Sequence, residues 1–299
     1  MYQIGEVLEI SIRITFATIA LVIPFCTFAA QEQSSQCADG GPEAVIQSPT
    51  LTVSTLNISH GRNSALNQMF VSTERTYDNL DKIAALLDKM DADIVALQEA
   101  DAASKWSGKF DHVQYLVDNS RFNCFIHGRQ ARSRLYSYGT ALLSKRGLAD
   151  SSSLEFEPSP PTTTKGLVRA KFDWSVDGEI IPVTVVSVHL DYSRKKVRES
   201  QIAEMIAALK DLETELIVLG DLNSTWLDKR PHARQLAEGL GLTAYDPEGD
   251  DLGTYKSTSG KRLDWILISS KLEFVSHDVL PDIVADHLAI NAEIRVRGE

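Results

Sequence analysis

The chain has 299 residues, 43% hydrophobic and 24% charged, which excludes a wholly disordered protein, a collagen-like repeat and a polytopic membrane protein. Lys and Arg number 30 against 41 Asp and Glu, and the formal net charge of -11 argues against non-specific grip on a long nucleic-acid backbone. Three Cys are too few for a disulfide-stapled fold or a Cys-rich zinc site.

Residues 14–30, ITFATIALVIPFCTFAA, carry no charge. Arg13 precedes this run and Arg62 is the first Lys or Arg after it, so positive charge lies on its N-terminal side, as in an export signal. Thr27 and Ala29 form a small-x-small pair that marks a cleavage point after Ala29. Glu6 and Glu9 offset Arg13, and the run as a helix would be about 25 Å long, against about 30 Å for a bilayer core. Residues 1–30 are therefore read as a signal peptide or a signal anchor. The body is expected to be exported, either periplasmic or secreted, or else held at a membrane by residues 14–30. Residues 31–50, rich in Gln, Ser, Gly and Pro, read as a linker, and 51–299 as one domain. Signal cleavage would remove Cys26. An oxidising compartment would permit Cys37 and Cys124 to pair, but the sequence gives no distance, and the reading adopted is a free buried Cys124 with Cys37 on the tail.

Short apolar runs and helical patterns then alternate. LTVSTLN (51–57) reads as a strand ending in a polar residue. Tyr77, Leu80, Ile83, Ala84 and Leu87 recur at helical spacing within 74–90. DIVALQE (93–99) is a buried strand closed by a carboxylate, and FNCFIHG (122–128) and YGTALLS (138–144) are further strands. Residues 151–165, with paired prolines and many Ser and Thr, read as loop. LVRAKFDW and IPVTVVSVHL form a hairpin about Asp177-Gly178. A helix over 195–210, a strand over 215–221, a short helix over 231–240 and the late strands RLDWILIS and HLAINAEIRV complete the pattern. Strands outnumber helices, and the helices fall between them, which points to a layered α/β domain with mixed strand pairing.

Polar residues close these strands repeatedly. Asn57, Glu99, His189 with Asp191, and Asp221 with Asn223 follow apolar runs, while Asp264 and the Asp286-His287 pair sit at the late strands. Side chains from several strand ends can line one mouth of a sheet. Glu99, Asp221 and Asp286 are hard oxygen donors suited to Mg²⁺ or Mn²⁺, with Asn57 as a neutral one. His189 and His287 can transfer protons or stabilise an oxyanion near neutral pH. There is no HExxH, GxSxG or Walker A motif.

TLNIS, IVALQE, YGTALLS, VSVHLD, VLGDLNS, RLDWILIS and ADH together, in this order over residues 51–290, resemble the endonuclease/exonuclease/phosphatase superfamily, which includes pancreatic deoxyribonuclease, abasic-site endonucleases, sphingomyelinases and inositol polyphosphate 5-phosphatases. The resemblance implies a four-layer α/β/β/α sandwich with two central mixed β-sheets. It implies Glu99 as the main metal ligand, with Asn57 beside it and Asp286 joining the metal or its water. It implies that Asp221 orients or deprotonates the attacking water and that Asn223 hydrogen-bonds the phosphoryl oxygens. His189 falls on the leaving-group side, and His287 contacts the scissile phosphate with its tautomer fixed by Asp264. Ser59 stands where some nucleases of the group carry an extra acid, and HLDY replaces the proline–asparagine pair of the abasic endonucleases. His60, Arg62 and Asp191 are candidate contacts to the substrate phosphate; solvated loop is the other reading of His60 and Arg62, and a strand cap that of Asp191. Lys165, Arg169, Arg194, Lys195, Lys196 and Arg198 either rim a pocket or form a solvated surface.

The expected activity is that of an exported Mg²⁺- or Mn²⁺-dependent phosphoesterase, cleaving a phosphodiester or phosphomonoester by in-line attack of water. The substrate is a small molecule, a phospholipid headgroup or a nucleic acid. No stable protein partner is implied, and membrane contact would come only through an uncleaved N-terminal segment. The alternatives are an extracellular endonuclease on DNA or RNA, and a non-catalytic binding protein that keeps the fold.

Overall fold

The computed structural model describes residues 33–37, 43–249, 251–255 and 260–298. The segment read as a signal or anchor, residues 1–30, lies outside the described residues. Among the described residues no helix is long and apolar enough to cross a membrane.

Two sheets are stacked face to face. The first contains β1 (Gln33–Cys37), β3 (Leu51–Asn57), β4 (Ile94–Asp101), β5 (Cys124–Arg132), β6 (Ser137–Ser144), β13 (Leu272–Val279) and β14 (Ile290–Val296), in the order β1-β5-β6-β4-β3-β14-β13. The second contains β2 (Val45–Gln47), β8 (Gly166–Val176), β9 (Glu179–His189), β10 (Glu215–Asp221), β11 (Leu242–Ala244) and β12 (Asp264–Ser269), in the order β11-β12-β10-β9-β8-β2, with β7 (Ala149–Glu155) paired to β8. β3 and β4 are parallel, as are β9 and β10, while β14 and β12 run antiparallel to β3 and β10. Both sheets are therefore mixed.

Period-two alternation explains why the strands are apolar throughout. On β4, Ile94 and Ala96 enter the core between the sheets, while Val95 and Leu97 face outward. On β10, Ile217 and Leu219 point in, and Leu216 and Val218 point out. The outer face of the first sheet is covered by α1 (Thr73–Met90), through Leu80, Ile83 and Leu87, and by α2 (His112–Asp118), through Val113 and Leu116. The outer face of the second is covered by α3 (Lys195–Leu209), through Ile202 and Met205, and by α4 (His232–Leu240), through Leu236. The result is the expected four-layer α/β/β/α sandwich. A polar link also crosses the interior: Gln98 Nε2 donates to Ser187 Oγ at 3.2 Å, and Ser187 Oγ donates to the Leu97 carbonyl at 3.0 Å.

Three expectations are corrected. Residues 31–50 are not simply a linker, because β1 adds an edge strand to the first sheet and β2 one to the second. Cys37 and Cys124 are not free: they sit opposite each other in the β1–β5 ladder and form a disulfide. Ladder hydrogen bonds and that bridge hold the polar strand QSSQC, which has no apolar face to reveal it. The stretch 151–165 is loop only in its second part, since β7 extends to Glu155. As a half-exposed strand rich in Ser, β7 likewise lacks an apolar signature. His112, His127, His232 and His277 are all buried core residues.

Candidate active site

The apolar inner rows run out at one end of the sandwich, and polar residues take over. The inward row of β3 ends in Asn57, that of β9 in His189, and that of β10 in Asp221; the inward row of β12 begins at Asp264. Strand register sets three of these side by side, because Asp221 is the partner of His189 on one side and of Asp264 on the other. This close approach needs a glycine before Asp221: Gly220 has φ +146, and a Cβ there would lie 2.0 Å from the Val188 carbonyl oxygen. Asp221 Oδ1 then accepts the Asn223 N–H at 2.9 Å, a turn that ends the strand and leaves Asn223 at φ +48.

Glu99 reaches the cleft by a different device. By alternation it would follow Val95 and Leu97 toward the helices. The β4–β6 ladder instead shifts register between Leu97 and Ala100, and Glu99 adopts φ +50. The bulge turns this carboxylate to the cleft mouth, with its side chain one-fifth exposed.

Asn57, Arg62, Glu99, His189, Asp221, Asn223, Asp286 and His287 line one cleft of about 770 Å³. Asp221 Oδ2 is its centre. It accepts from Asn57 Nδ2 at 3.1 Å, with His189 Nε2 at 3.4 Å and His287 Nε2 at 3.7 Å. Burial pushes Asp221 up to about 7, with the negative charge of Asp264 adding to the effect. His287 Nδ1 donates to Asp264 Oδ2 at 2.8 Å, and the Thr254 hydroxyl donates to the same oxygen at 2.6 Å. Burial opposes a charge on His287, but Asp264, Asp221 and Asp286 outweigh it and raise this imidazole to about 10. His189 is the opposite case. Burial, then Lys165, then His287 hold it well below the usual histidine range. Lys165 Nζ lies 3.3 Å from His189 Nδ1, so the ammonium donates to that nitrogen and leaves the ring proton on Nε2, toward Asp221.

The remaining candidates are arranged differently. Asp286 lines the cleft, but Oδ1 accepts the Ser59 hydroxyl and Oδ2 pairs with Arg62 at 2.7 Å. Arg62 is thus held at the cleft wall by Asp286. His60 does not face the cleft as a phosphate contact would; it is buried between Glu99, 3.3 Å from Nε2, and Asp101, 2.6 Å from Nδ1. Asp191 is fully buried and lines no part of the cleft. Oδ1 accepts the N–H groups of Ser193 and Arg194 at 2.9 and 2.7 Å, and Oδ2 accepts the Thr162 hydroxyl at 2.6 Å. These bonds outweigh burial and hold it down at about 2, an anion fixed at the entry to α3. Arg198 and Gln201 support the same turn, donating to the Asp191 carbonyl at 2.7 Å and accepting its N–H at 2.8 Å. Lys195 and Arg198 also line the cleft. Asp101, Trp106, Thr254 and the role of Lys165 escaped sequence reasoning; Asp101, two residues beyond Glu99 on the same strand, was the one with a positional hint.

Two groupings could hold a cation. Asp221, Asp264 and His287 bring ligand atoms within 4.8 Å of one another. There, however, the His287 imidazole lies between the carboxylates, with Nδ1 bonded to Asp264 and Nε2 3.7 Å from Asp221. Glu99 fits better: it is a hard oxygen donor in the cleft whose one protein partner among the described residues is His60, and Asn57 and Asp286 line the same cleft.

The fold is similar to an endonuclease/exonuclease/phosphatase from Beutenbergia cavernae, at 17% identity and TM-score 0.65 over 84% of this chain and 72% of that one. It is similar to the human nocturnin catalytic domain with bound sulfate, at 17% identity and TM-score 0.61 over 89% and 98%. It is also similar to a mannosyl-6-phosphatase from Bacteroides thetaiotaomicron, at 16% identity and TM-score 0.60 over 82% and 99%. At such identities the likeness carries the fold alone. No curated protein sequence matches the chain. Residues 54–287 match the profile of the Endonuclease/Exonuclease/phosphatase family, a span running from the strand that ends in Asn57 to His287 itself, and the chain belongs to that family of phosphoester hydrolases.

Proposed function

We propose that the chain is an exported, Mg²⁺- or Mn²⁺-dependent phosphoesterase that cleaves a phosphodiester or phosphomonoester by in-line attack of water. The observation that carries this reading is the convergence on Asp221 Oδ2 of Asn57, His189 and His287, with Glu99 on the wall of the same cleft. A divalent cation held by Glu99, with Asn57 and Asp286 alongside, would supply the positive charge that polarises the phosphoryl group. Asp221 orients the attacking water and takes its proton, a task suited to a carboxylate lifted toward neutrality. Asp264 holds the His287 ring so that Nε2 faces the cleft. The 3.7 Å from Nε2 to Asp221 exceeds a hydrogen bond, so this N–H is free to meet a phosphoryl oxygen. The Asn223 amide, at the turn after Asp221, donates one N–H to the Leu190 carbonyl at 3.1 Å and keeps its other N–H as a second donor in this reading. His189, its proton fixed on Nε2 by Lys165, stands ready to serve the leaving oxygen.

Export is supported by the uncharged run at 14–30 and by the Cys37–Cys124 disulfide, since such bonds persist in oxidising compartments. The net charge of -11 favours a small phosphoester or a headgroup over a long nucleic acid. The test is hydrolysis of bis-p-nitrophenyl phosphate and p-nitrophenyl phosphate by the purified chain with Mg²⁺, Mn²⁺ or EDTA, beside a plasmid-nicking assay. Metal-dependent turnover of a small ester with intact plasmid is expected. No turnover with either metal, or turnover indifferent to EDTA, overturns the proposal.

A further inference from the structure

Besides Asp264, His287 and Asp221, a second carboxylate–imidazole–carboxylate chain reaches the cleft, at Glu99. Asp101 Oδ2 is 2.6 Å from His60 Nδ1, and His60 Nε2 is 3.3 Å from Glu99 Oε2. The ring atoms are used in the same order as in His287: Nδ1 meets the inner carboxylate and Nε2 the carboxylate at the cleft. Nδ1 is hydrogen-bonded to Asp101, while Nε2 stands in close contact with Glu99 without the alignment of a hydrogen bond, so the ring meets a carboxylate oxygen at each nitrogen.

The chain is anchored from behind. Asp101 is fully buried, and its other oxygen, Oδ1, accepts the Trp106 indole N–H at 2.8 Å. The His60 ring is edge-packed by Trp106 and Tyr138, with centroids 5.1 and 4.6 Å away. Its backbone sits at φ +55 in a turn where Asn79 of α1 donates to the Gly61 carbonyl at 2.9 Å. Non-glycine backbone in this region persists only where surrounding contacts hold it. Two other buried histidines provide a contrast. His112 and His127 turn Nε2 to backbone carbonyls, of Ser107 at 2.8 Å and Ala100 at 3.0 Å, and the Nδ1 of each meets no partner among the described residues. His60 spends its Nε2 on a cleft carboxylate instead.

We infer that His60, backed by Asp101 and Trp106, is a positioning residue that clamps one oxygen of Glu99 and so presents the other to the divalent cation. This rests on the reading of Glu99 as a metal ligand given above. The bulge at Glu99 turns its backbone to the cleft but does not fix its carboxylate, and His60 supplies that second constraint. It also answers the departure at Ser59: where an additional acid would add negative charge, this chain sets an imidazole against the existing acid. Partners that orient a metal ligand are each worth about ten- to a hundredfold in metal affinity or activity.

The test is Mn²⁺ binding to the full chain, read by electron paramagnetic resonance titration without substrate, for wild type, His60→Leu, His60→Gln, Asp101→Asn and Glu99→Gln. Thermal midpoints are measured in EDTA to separate folding from binding. His60→Leu is expected to weaken Mn²⁺ binding about ten- to a hundredfold. His60→Gln, whose amide still donates, recovers most of that loss although its midpoint is no higher than that of His60→Leu. If His60→Leu does not fold, Asp101→Asn carries the test and is expected to weaken binding in the same direction. Wild-type affinity in the folded variant overturns the inference while Glu99→Gln loses its ion. Equal Mn²⁺ binding by wild type and Glu99→Gln overturns the underlying assignment of Glu99 instead.

Discussion

Replacing Asp221 by Asn should abolish most of the activity and yet leave the fold as stable as before, or more stable. Asp221 is 1% exposed, and the rise of its pKa from 3.8 to about 7 means that ionising it inside the sandwich costs about 4 kcal/mol, at 1.36 kcal/mol per pH unit. The sign follows from proton counting. Between pH 3.8 and about 7 the folded chain holds a proton that the unfolded chain has released, so this group destabilises the fold progressively as pH rises through that window. Asn carries no charge and escapes this cost. With its oxygen toward Asn57, its amide group meets the Asn223 N–H that Asp221 Oδ1 now accepts, a mismatch of about 1–3 kcal/mol. The net expectation in EDTA at pH 7.5 is a gain of up to about 3 kcal/mol, shrinking toward pH 5. Urea denaturation at the two pH values measures it, and turnover of bis-p-nitrophenyl phosphate should fall at least about a hundredfold, the scale of a positioned acid–base group. A variant that is clearly destabilised at pH 7.5, or that keeps near-wild-type turnover, refutes the reasoning.

Lys165→Met removes the donor to His189 Nδ1 and frees the ring proton to move from Nε2; kcat should fall about tenfold or more with little change in KM, and an unchanged kcat removes Lys165 from the site. Burial, then the Arg262 charge, holds His277 down at about 4, so its contribution to stability is complete above pH 6.5 and is lost as pH falls toward 4, about 3 kcal/mol in all. His277→Gln should flatten that part of the urea-midpoint curve, and identical slopes from pH 4.5 to 7.5 would contradict the assignment. Cys37→Ser opens a bridge between residues 87 apart and should cost about 2–4 kcal/mol, matched by adding reductant to wild type; no change in thermal midpoint in either case would remove β1 from the stable fold.

The cleft was readable from sequence to the extent that alternation was. Asn57, His189, Asp221 and Asp264 continue inward-facing apolar rows, so their convergence follows from strand parity and parallel pairing. Glu99 was found by its place at a strand end, although alternation alone sends it to the wrong face; its direction depends on a bulge that no apolar pattern reveals. Asp191 and Asp221 both follow apolar strands two or fewer residues from another polar group, and the sequence leaves open whether Asp191 is a phosphate contact or a strand cap. What separates them is where the next few backbone N–H groups point, and only three-dimensional structure shows that. β1 and β7 were missed because edge strands rich in Ser and Gln bury too little to leave a periodic trace, and α2 because seven residues hold less than two turns of pattern.

The polar link from Gln98 to Ser187 bears on how the enzyme can fail. Asn57 and Glu99 ride on one lamina; His189, Asp221 and Asp264 ride on the other, so each lamina carries half of the machinery. A slip of one residue between the laminae, about 3.3 Å, would separate the halves without unfolding either. Substitutions deep in the interlayer packing, at Trp174 or Ile217 for instance, can therefore silence hydrolysis from a distance by misaligning two intact halves.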